Sequence, residues 1–316
     1  MSMTTALLFP GQGSQERGMG RDVAEAMPEA MDLWKKAERG SGLALRELYW
    51  ESGDDALMAD TRALQPAMTV VNLSLWLALA PHVRPACTAG HSLGEYSALA
   101  AAGVLSADAV LELVCLRGRL MAEADPDGRG GMAAVLKLSR QEAEAVAQSA
   151  AAATGEVLLV ANCNTPAQFV LSGSRVAVEA ALPLVRERKG RAMPLPVSGA
   201  FHSPLMAPAA SAMNKLLERL TWSKPRFAVY SNVTGEAVTD GESLRELVGR
   251  QMVSPVLWID VIAGQYRAGV RHWLEVGPKG ALSRMVKPIV DEVGADEIRV
   301  ESVGSLEAVQ KLKLNG

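Results

Sequence analysis

The stretch ACTAGHSLGEYSALAAAG, residues 86–103, combines a short apolar run, a glycine turn and an alanine-rich segment. Gly90 and Gly94 stand two residues before and two residues after Ser92, which is the form of a nucleophile elbow. Such a turn leads from a strand directly into a helix and exposes the central hydroxyl. The stretch therefore predicts strand, sharp turn and helix, with Ser92 as a candidate nucleophile. The alternative is an ordinary glycine turn with Ser92 as a helix N-cap.

The N-terminal region repeats the order of strand, glycine loop and helix. An apolar run, Ala6 to Phe9, precedes PGQGSQ (10–15), and helix-like sequence then continues to about Arg39. A second helix is predicted to begin at Pro66, because proline suits the first helical turn. This order predicts an α/β fold. In serine enzymes built on such a sheet, the backbone N–H of the residue after the nucleophile is one oxyanion donor, and a loop that follows a neighbouring strand can supply a second. The glycine loop at residues 10–15 has this position.

The middle of the chain has a different pattern, which predicts an inserted module. It reads as strand, helix, strand, strand, helix, strand (132–138, 140–152, 157–163, 169–172, 176–189 and 193–197). This βαββαβ order is the ferredoxin-like pattern. We therefore predict a large α/β domain in two parts, residues 1–128 and 199–316, with a ferredoxin-like insert at residues 129–198.

Composition excludes several classes of protein. The chain has 316 residues, of which 49% are hydrophobic and 21% charged, and its formal net charge is −3, so nucleic acid is a poor candidate partner. Cys87, Cys115 and Cys163 lack the spacing of a disulfide framework or metal site and are expected to be small buried residues. The N-terminal apolar run is too short for a signal peptide, and no stretch approaches a membrane span. We expect a cytoplasmic protein without a membrane partner.

A serine nucleophile needs a base within hydrogen-bond reach, so the four histidines can be compared. His82 has the surroundings of an exposed loop at a helix end. The ring of His91, next to the serine on a sharp turn, should point away from the hydroxyl. His272 enters a strand and favours a surface or sheet-edge role. His202 lies where the insert rejoins the large domain, and clefts form at such seams, so elimination leaves it as the candidate base.

Arg117 falls on the apolar face of a predicted helix. In the segment 109–124 it shares the i, i+3, i+4 face with Val110, Leu113, Val114 and Met121. Burying a guanidinium without a partner is costly, so Arg117 either pairs with an internal carboxylate or binds an anionic ligand. A substrate carboxylate is attractive because the helix begins soon after the elbow helix ends.

Taken together, these segments resemble the malonyl-CoA:acyl carrier protein transacylases, either discrete or embedded in fatty acid and polyketide synthases. The resemblance extends to about residue 290. It rests on PGQGSQ (10–15), QPA (65–67), GHSLGEYSAL (90–99), RG (117–118), GMAAV (131–135), NxNTP (162–166), FH (201–202), PVxW (255–258) and EVGP (275–278).

The resemblance implies a hydrolase-like core with a mostly parallel sheet and a ferredoxin-like insert. It also implies a dyad of Ser92 and His202, an oxyanion hole formed by the backbone N–H groups of Gln12 and Leu93, and a bidentate clamp on the malonyl carboxylate by Arg117. The implied reaction is a ping-pong transfer from malonyl-CoA to the phosphopantetheine thiol of acyl carrier protein. It requires no resident cofactor or metal.

Three further residues match family positions around the substrate. Asn162 matches a position near the active-site cleft, and Phe201 one that accompanies malonyl selectivity in the polyketide branch. A backbone carbonyl in the segment containing Gln251 orients the family's histidine. The sequence departs from the family at Gly199, where malonyl-selective synthase domains have histidine, and at Lys279-Gly280, where the family often has glycine then lysine.

Other functions remain open at this stage. A malonyl transferase of a polyketide or malonate decarboxylase system would carry the same residues. A serine thioester hydrolase would release the acyl group to water instead of to a thiol. A non-catalytic protein that retains the fold would not be labelled at Ser92 by malonyl-CoA.

Overall fold

The structure, a computed structural model, describes residues 3–52, 54–197, 199–294 and 297–314. The predicted module boundary at Ser198 and the predicted domain ends at residues 1 and 316 lie outside the described residues. The strands are β1 Thr5–Phe9, β2 Cys87–Gly90, β3 Gly130–Leu136, β4 Leu158–Thr165, β5 Gln168–Ser174, β6 Arg191–Pro194, β7 Ala228–Tyr230, β8 Ala237–Val238, β9 His272–Val276 and β10 Arg299–Val303.

The helices pack around these strands, and short turns of other helix types occur at Glu47–Ser52, Ala80–His82 and Pro204–Met206. The α-helices are α1 Arg21–Ala26, α2 Pro28–Ser41, α3 Asp55–Ala59, α4 Thr61–Leu79, α5 Gly94–Ala101, α6 Ala107–Glu123, α7 Arg140–Thr154, α8 Arg175–Glu187, α9 Ala207–Leu217, α10 Gly241–Gln251, α11 Trp258–Arg267, α12 Ser283–Asp291 and α13 Leu306–Leu314.

The larger sheet has the strand order β10-β9-β1-β2-β7-β8 and is parallel except for β8. Its central strand β1 is buried on both faces. Leu7 and Phe9 pack into one apolar cluster, whereas Ala6 and Leu8 pack into another. A strand covered on both sides reads as a continuous apolar run, which is what the sequence shows. The predicted α/β class with a mostly parallel sheet is confirmed.

The register of the central strands brings two loops together. Phe9, the last residue of β1, pairs with Gly90, the last residue of β2. Because both strands are parallel, the glycine loop after β1 and the elbow after β2 leave the same edge of the sheet side by side. Ligands of open α/β sheets bind at this edge, outside the carboxyl ends of the strands.

The smaller sheet is antiparallel, with the strand order β4-β5-β3-β6. Helices α7 and α8 pack against it and share a separate apolar core with its strands. Strand β4 also pairs with the segment between α10 and α11. There the backbone N–H of Cys163 donates to the carbonyl of Val256, and the N–H of Val256 donates to the carbonyl of Ala161.

Helix α4 differs from two of the expectations. Its first residue is Thr61, not Pro66, because the Asp60 side chain caps the helix by accepting from the N–H of Arg62, and Pro66 lies inside the helix. The helix and the turn after it, Thr61–His82, are long enough to cross a membrane and contain an 18-residue window with a mean hydropathy of 1.4. The expectation that no stretch approaches a span is therefore wrong on length and composition. The protein buries 89% of the apolar window, as expected of a core helix.

The other differences between prediction and structure concern the limits of one strand and the existence of two more. The last strand of the smaller sheet was expected at residues 193–197 and is found at Arg191–Pro194. Strands β8 and β10 were not predicted. Both are short edge strands, and in β10 only Val303 is fully buried, so neither presents a clear apolar pattern.

Gly94 offers a direct test of the elbow. A Cβ added to Gly94 would lie 1.9 Å from the carbonyl oxygen of Phe9, which is backbone of the central strand and cannot move aside. We expect Gly94→Ala to lower the free energy of unfolding in urea by about 3 kcal/mol or more, as severe overpacking does. Gly131→Ala is the control, because its Cβ would make an ordinary contact 3.6 Å from the Cα of Arg175. Equal stability of the two variants would contradict this packing.

Candidate active site

Ser92 occupies a strained turn between β2 and α5. Its φ of 49° lies in the left-handed region, which costs free energy for a residue with a Cβ. The Asn232 side chain bridges the turn: its Oδ1 accepts from the N–H of Ser92 at 2.7 Å, and its Nδ2 donates to the carbonyl of Gly90 at 2.7 Å. This cross-link holds the serine at the tip of the bend.

The structure brings Ser92 and His202 together. The Oγ of Ser92 lies 2.8 Å from Nε2 of His202. On the other side of the ring, Nδ1 lies 3.0 Å from the carbonyl oxygen of Gln251 and 3.2 Å from that of Ser254. Carbonyl oxygens only accept, so Nδ1 carries the proton, and Nε2 of the neutral ring accepts from the serine hydroxyl.

The neutral state of His202 follows from its surroundings. The side chain is 4% exposed, and burial, followed by the positive charge of Arg117, lowers the pKa of His202 to about 3. Hydrogen bonds to the carbonyls of Gln251 and Ser254 oppose the shift without reversing it. A base that is neutral at physiological pH is available to take a proton.

Arg117 is 1% exposed and reaches the same point from α6. Its Nη2 donates to Oγ of Ser92 at 3.1 Å and to Oε1 of Gln251 at 3.1 Å, and its Nη1 donates to Oε1 of Gln65 at 3.0 Å. Among the described residues it forms no direct ion pair with a carboxylate. The sequence left two alternatives for Arg117, an internal carboxylate or an anionic ligand. Because no carboxylate pairs with it directly, the guanidinium is available to an anionic ligand.

The glycine loop after β1 packs against the elbow. A Cβ added to Gly11 would lie 2.5 Å from the carbonyl oxygen of His91 and 3.4 Å from the backbone nitrogen of Leu93. Over the described part of the chain, the N–H groups of Gln12 and Leu93 donate to no protein acceptor. Two unpaired N–H groups beside a candidate nucleophile have the chemistry of an oxyanion hole.

Comparison with known proteins identifies the family. The family model described as "Acyl transferase domain" matches residues 6–314. The chain belongs to the acyl transferase domain family. A malonyl CoA-acyl carrier protein transacylase of Haemophilus influenzae is 38% identical over 311 residues, which cover 97% of this acyl transferase and 98% of the relative.

Solved structures agree with the family. The malonyl-CoA:acyl carrier protein transacylase of Xanthomonas oryzae pv. oryzae superposes on this acyl transferase with a TM-score of 0.91 at 33% identity, covering 100% of this chain and 99% of that one. A malonyl-transacylase solved in complex with its type II polyketide synthase acyl-carrier protein has a TM-score of 0.91 at 32% identity, covering 99% and 100%.

Two predicted residues of the acyl transferase form no side-chain hydrogen bond with Ser92 among the described residues. Phe201 is buried next to His202 and belongs to the main apolar cluster. Asn162 lies on β4, where its backbone forms a parallel bridge with Val256, and it makes no hydrogen bond to Ser92. The structure therefore places Asn162 where the smaller sheet meets the segment between α10 and α11, outside the hydrogen-bonded group around Ser92.

The remaining histidines of the acyl transferase are held elsewhere. His82 belongs to an exposed turn after α4. His91 Nε2 lies 2.8 Å from Oδ1 of Asn164, so its ring points away from the serine hydroxyl. His272 Nε2 lies 2.9 Å from Oε2 of Glu301. None of the three reaches Ser92.

Three site residues were missed by the sequence reasoning. Gln65 was noted only as part of a family motif, and Glu95 only as part of the elbow helix. Asn232 was not noted at all. A signal for Asn232 was present, because it follows Tyr230 closely at the carboxyl end of β7, which neighbours β2. Polar residues at that edge of a parallel sheet are site candidates.

One wide cleft in the described part of the acyl transferase lies away from Ser92. It has a volume of about 1400 Å³ and is lined by the face of α6 that carries Cys115 and Arg119, together with parts of α2 and α9. Arg117 lies on the opposite face of α6. The candidate site is therefore identified by the hydrogen bonds around Ser92 and not by this cleft.

The protonation state of His202 provides a test of the site. We expect the imidazole resonances of His202 to show a neutral ring with the proton on Nδ1 from pH 8 to pH 5, because burial and Arg117 disfavour its cation. Arg117→Ala removes one of these causes, so the pKa of His202 should rise in that variant. The measurement is a ¹⁵N NMR titration, with His202→Asn used to assign the signals. A midpoint near the ordinary histidine value in the wild type would contradict the geometry.

Proposed function

We propose that this acyl transferase moves a malonyl group from coenzyme A to the phosphopantetheine thiol of an acyl carrier protein, in the cytoplasm, to supply fatty acid or polyketide synthesis. The observation that carries the proposal is the position of Ser92 Oγ, 2.8 Å from Nε2 of His202 and 3.1 Å from Nη2 of Arg117. A nucleophile, a base and a carboxylate-binding cation thus meet at one atom.

In the first half-reaction, Nε2 of His202 takes the hydroxyl proton as Oγ of Ser92 bonds to the thioester carbon. The carbonyl oxygen becomes an oxyanion, which the N–H groups of Gln12 and Leu93 stabilise. The carbon–sulfur bond then breaks, and His202 gives its proton to the departing thiolate of coenzyme A. The product is a malonyl-serine ester.

In the second half-reaction, His202 takes the proton of the carrier protein's thiol, whose sulfur attacks the ester carbon. The ester bond to Ser92 breaks, and the proton returns from His202 to Oγ. Each step uses only these side chains and the backbone donors, so the reaction as written calls for no resident cofactor or metal.

Arg117 provides the selectivity for a carboxylate. Gln65 and Gln251 hold its guanidinium in place through neutral amide oxygens, which leave its charge uncompensated by direct contact. The malonyl carboxylate supplies that compensation, and the other end of the malonyl group then lies at Ser92. Hydrogen bonds to a charged group in a dry pocket discriminate strongly against a substrate that lacks the partner.

Two residues border the acyl group in this proposal. Phe201 limits substituents on the malonyl carbon, and Asn162 lines the cleft toward the smaller sheet. Glycine at position 199, where malonyl-selective synthase domains have histidine, leaves room for the ring of Phe201. A Cβ at position 199 would lie 3.0 Å from that ring. Gln251 contributes its side chain to Arg117 and its carbonyl to His202.

The domain organisation also belongs to the proposal. Residues 129–198 form a ferredoxin-like insert in a hydrolase-like domain made of residues 1–128 and 199–316. The order β3-α7-β4-β5-α8-β6, the sheet order β4-β5-β3-β6 and the separate apolar core support this division. The chain segment that leaves β6 then delivers His202 to the site.

Initial velocities with malonyl-CoA and a phosphopantetheinylated carrier protein test the function. We expect parallel lines in double-reciprocal plots, because coenzyme A leaves before the second thiol binds. Release of free malonate without an acceptor should be slow compared with transfer. A malonate release rate equal to the transfer rate would favour a serine thioester hydrolase and contradict the proposal.

Arg117→Ala tests the carboxylate clamp. We expect kcat/KM for malonyl-CoA to fall roughly 100-fold or more, while kcat/KM for acetyl-CoA stays the same or rises, because acetyl lacks the carboxylate. Arg119→Ala is the matched control, since it removes an arginine from the opposite face of α6. An undiminished preference for malonyl-CoA in the Arg117 variant would refute the clamp.

A further inference from the structure

A buried carboxylate, that of Glu95, contacts two residues of the site, Asn232 and Gln251, and has no part in the mechanism above. Glu95, in the first turn of α5, is 1% exposed. Its Oε1 accepts from the backbone N–H of Asn232 at 3.0 Å, and its Oε2 accepts from Nε2 of Gln251. Both carboxylate oxygens therefore face N–H donors, an arrangement that satisfies the ionised form and leaves no acceptor for a proton on either oxygen.

Gln251 connects Glu95 to Ser92, Arg117 and His202. Its Nε2 also donates to the backbone carbonyl of Ser92 at 2.9 Å, and its Oε1 accepts from Nη2 of Arg117 at 3.1 Å. Its own carbonyl accepts from Nδ1 of His202 at 3.0 Å. If the amide turned over, its oxygen would face two acceptors and its NH₂ group would face a guanidinium. The orientation of this one amide thus decides whether three partners, Glu95, the Ser92 carbonyl and Arg117, are satisfied.

We propose that ionised Glu95 is a positioning residue that fixes the Gln251 amide, so that Gln251 in turn holds Arg117 and the Ser92 backbone in their active arrangement. This inference deepens the proposed function, because the site it organises is the one assigned to acyl transfer. Glu95 contacts neither Ser92 Oγ nor the ring of His202, so it acts through Gln251. It also supplies the nearby negative charge that favours a buried guanidinium at Arg117.

The site should therefore respond to the protonation of Glu95. Burial raises the pKa of Glu95 to about 7, while Gln251, Asn232 and the charge of Arg117 oppose the rise. The other titratable groups around it have pKa values displaced from neutrality: burial lowers those of His91 and His202, and burial raises that of Tyr96 to about 12. A proton on either oxygen of Glu95 would point at an N–H donor, so protonation should break one of the two hydrogen bonds that Glu95 accepts. We therefore expect the hydrogen bonds of Gln251 around Ser92 to weaken as pH falls through 7.

The test is the rate at which an uncharged alkyl fluorophosphonate labels Ser92 between pH 6 and pH 8.5, followed by intact mass. This probe carries no ionisable group and needs no coenzyme A site. We expect the wild-type rate to fall with decreasing pH around a midpoint near 7. Glu95→Gln cannot satisfy both donors at any pH, so it should label roughly tenfold or more slowly at pH 8.5 and show no such midpoint.

Glu275→Gln is the matched control. Glu275 is also a fully buried carboxylate that accepts from two N–H groups, those of Leu282 and Ser283, and burial raises its pKa. We expect this variant to keep the wild-type profile. A wild-type rate without a midpoint near 7, or the same midpoint in Glu95→Gln, would overturn the inference. Labelling with malonyl-CoA in parallel reports on the proposed function separately, because the probe arm does not depend on its outcome.

Discussion

The site depends on a contact between two segments of backbone. The first residue of α5, Gly94, lies against the carbonyl of Phe9 so closely that a Cβ there would come within 1.9 Å of the oxygen. Gly90 is confined in the same way by the backbone of Gly94, at 2.0 Å. These approaches lock the start of the helix onto the central strand, so the three residues between the glycines must turn sharply. The positive φ of Ser92 follows from that constraint, and the hydrogen bond from the N–H of Ser92 to Asn232 stabilises the strained backbone.

Charge explains the rest of the arrangement. Arg117, His202 and Glu95 are all buried, and burial alone would favour the neutral form of each. Neutral His202 is what a general base requires. Arg117 instead has polar partners on its Nη atoms, and Glu95 provides a negative charge one amide away. The free enzyme thus keeps a cation beside the nucleophile without a direct counter-ion, which is the arrangement that a substrate carboxylate completes.

Local signals in the sequence predicted which three side chains would lie together. The glycine pair around Ser92, the place of Arg117 on an apolar helical face and the elimination of three histidines depend on short-range patterns, and the structure brings these three side chains together. What the sequence could not provide was the register between distant segments. The contacts of Asn232 and Gln251 with Ser92 span 140 and 159 residues, and no local pattern encodes contacts at such separations.

The predicted limits of helices and strands were wrong where tertiary packing or a capping residue had more influence than local composition. Pro66 resembled a helix start, but Asp60 caps a helix that begins at Thr61. The apolar residues of α4 that suggest a membrane span are core residues of the protein. Edge strands β8 and β10 lacked a buried face and so left no alternating pattern. The central strands, buried on both sides, were the most predictable.

The most direct measurement is peptide-resolved mass spectrometry of the protein mixed with malonyl-CoA in the absence of a carrier protein. We expect one malonyl adduct per chain, on the peptide that contains Ser92, and its disappearance when phosphopantetheinylated carrier protein is added. An adduct on a different residue, or no adduct in a chain whose Ser92 still reacts with a fluorophosphonate, would contradict the assignment.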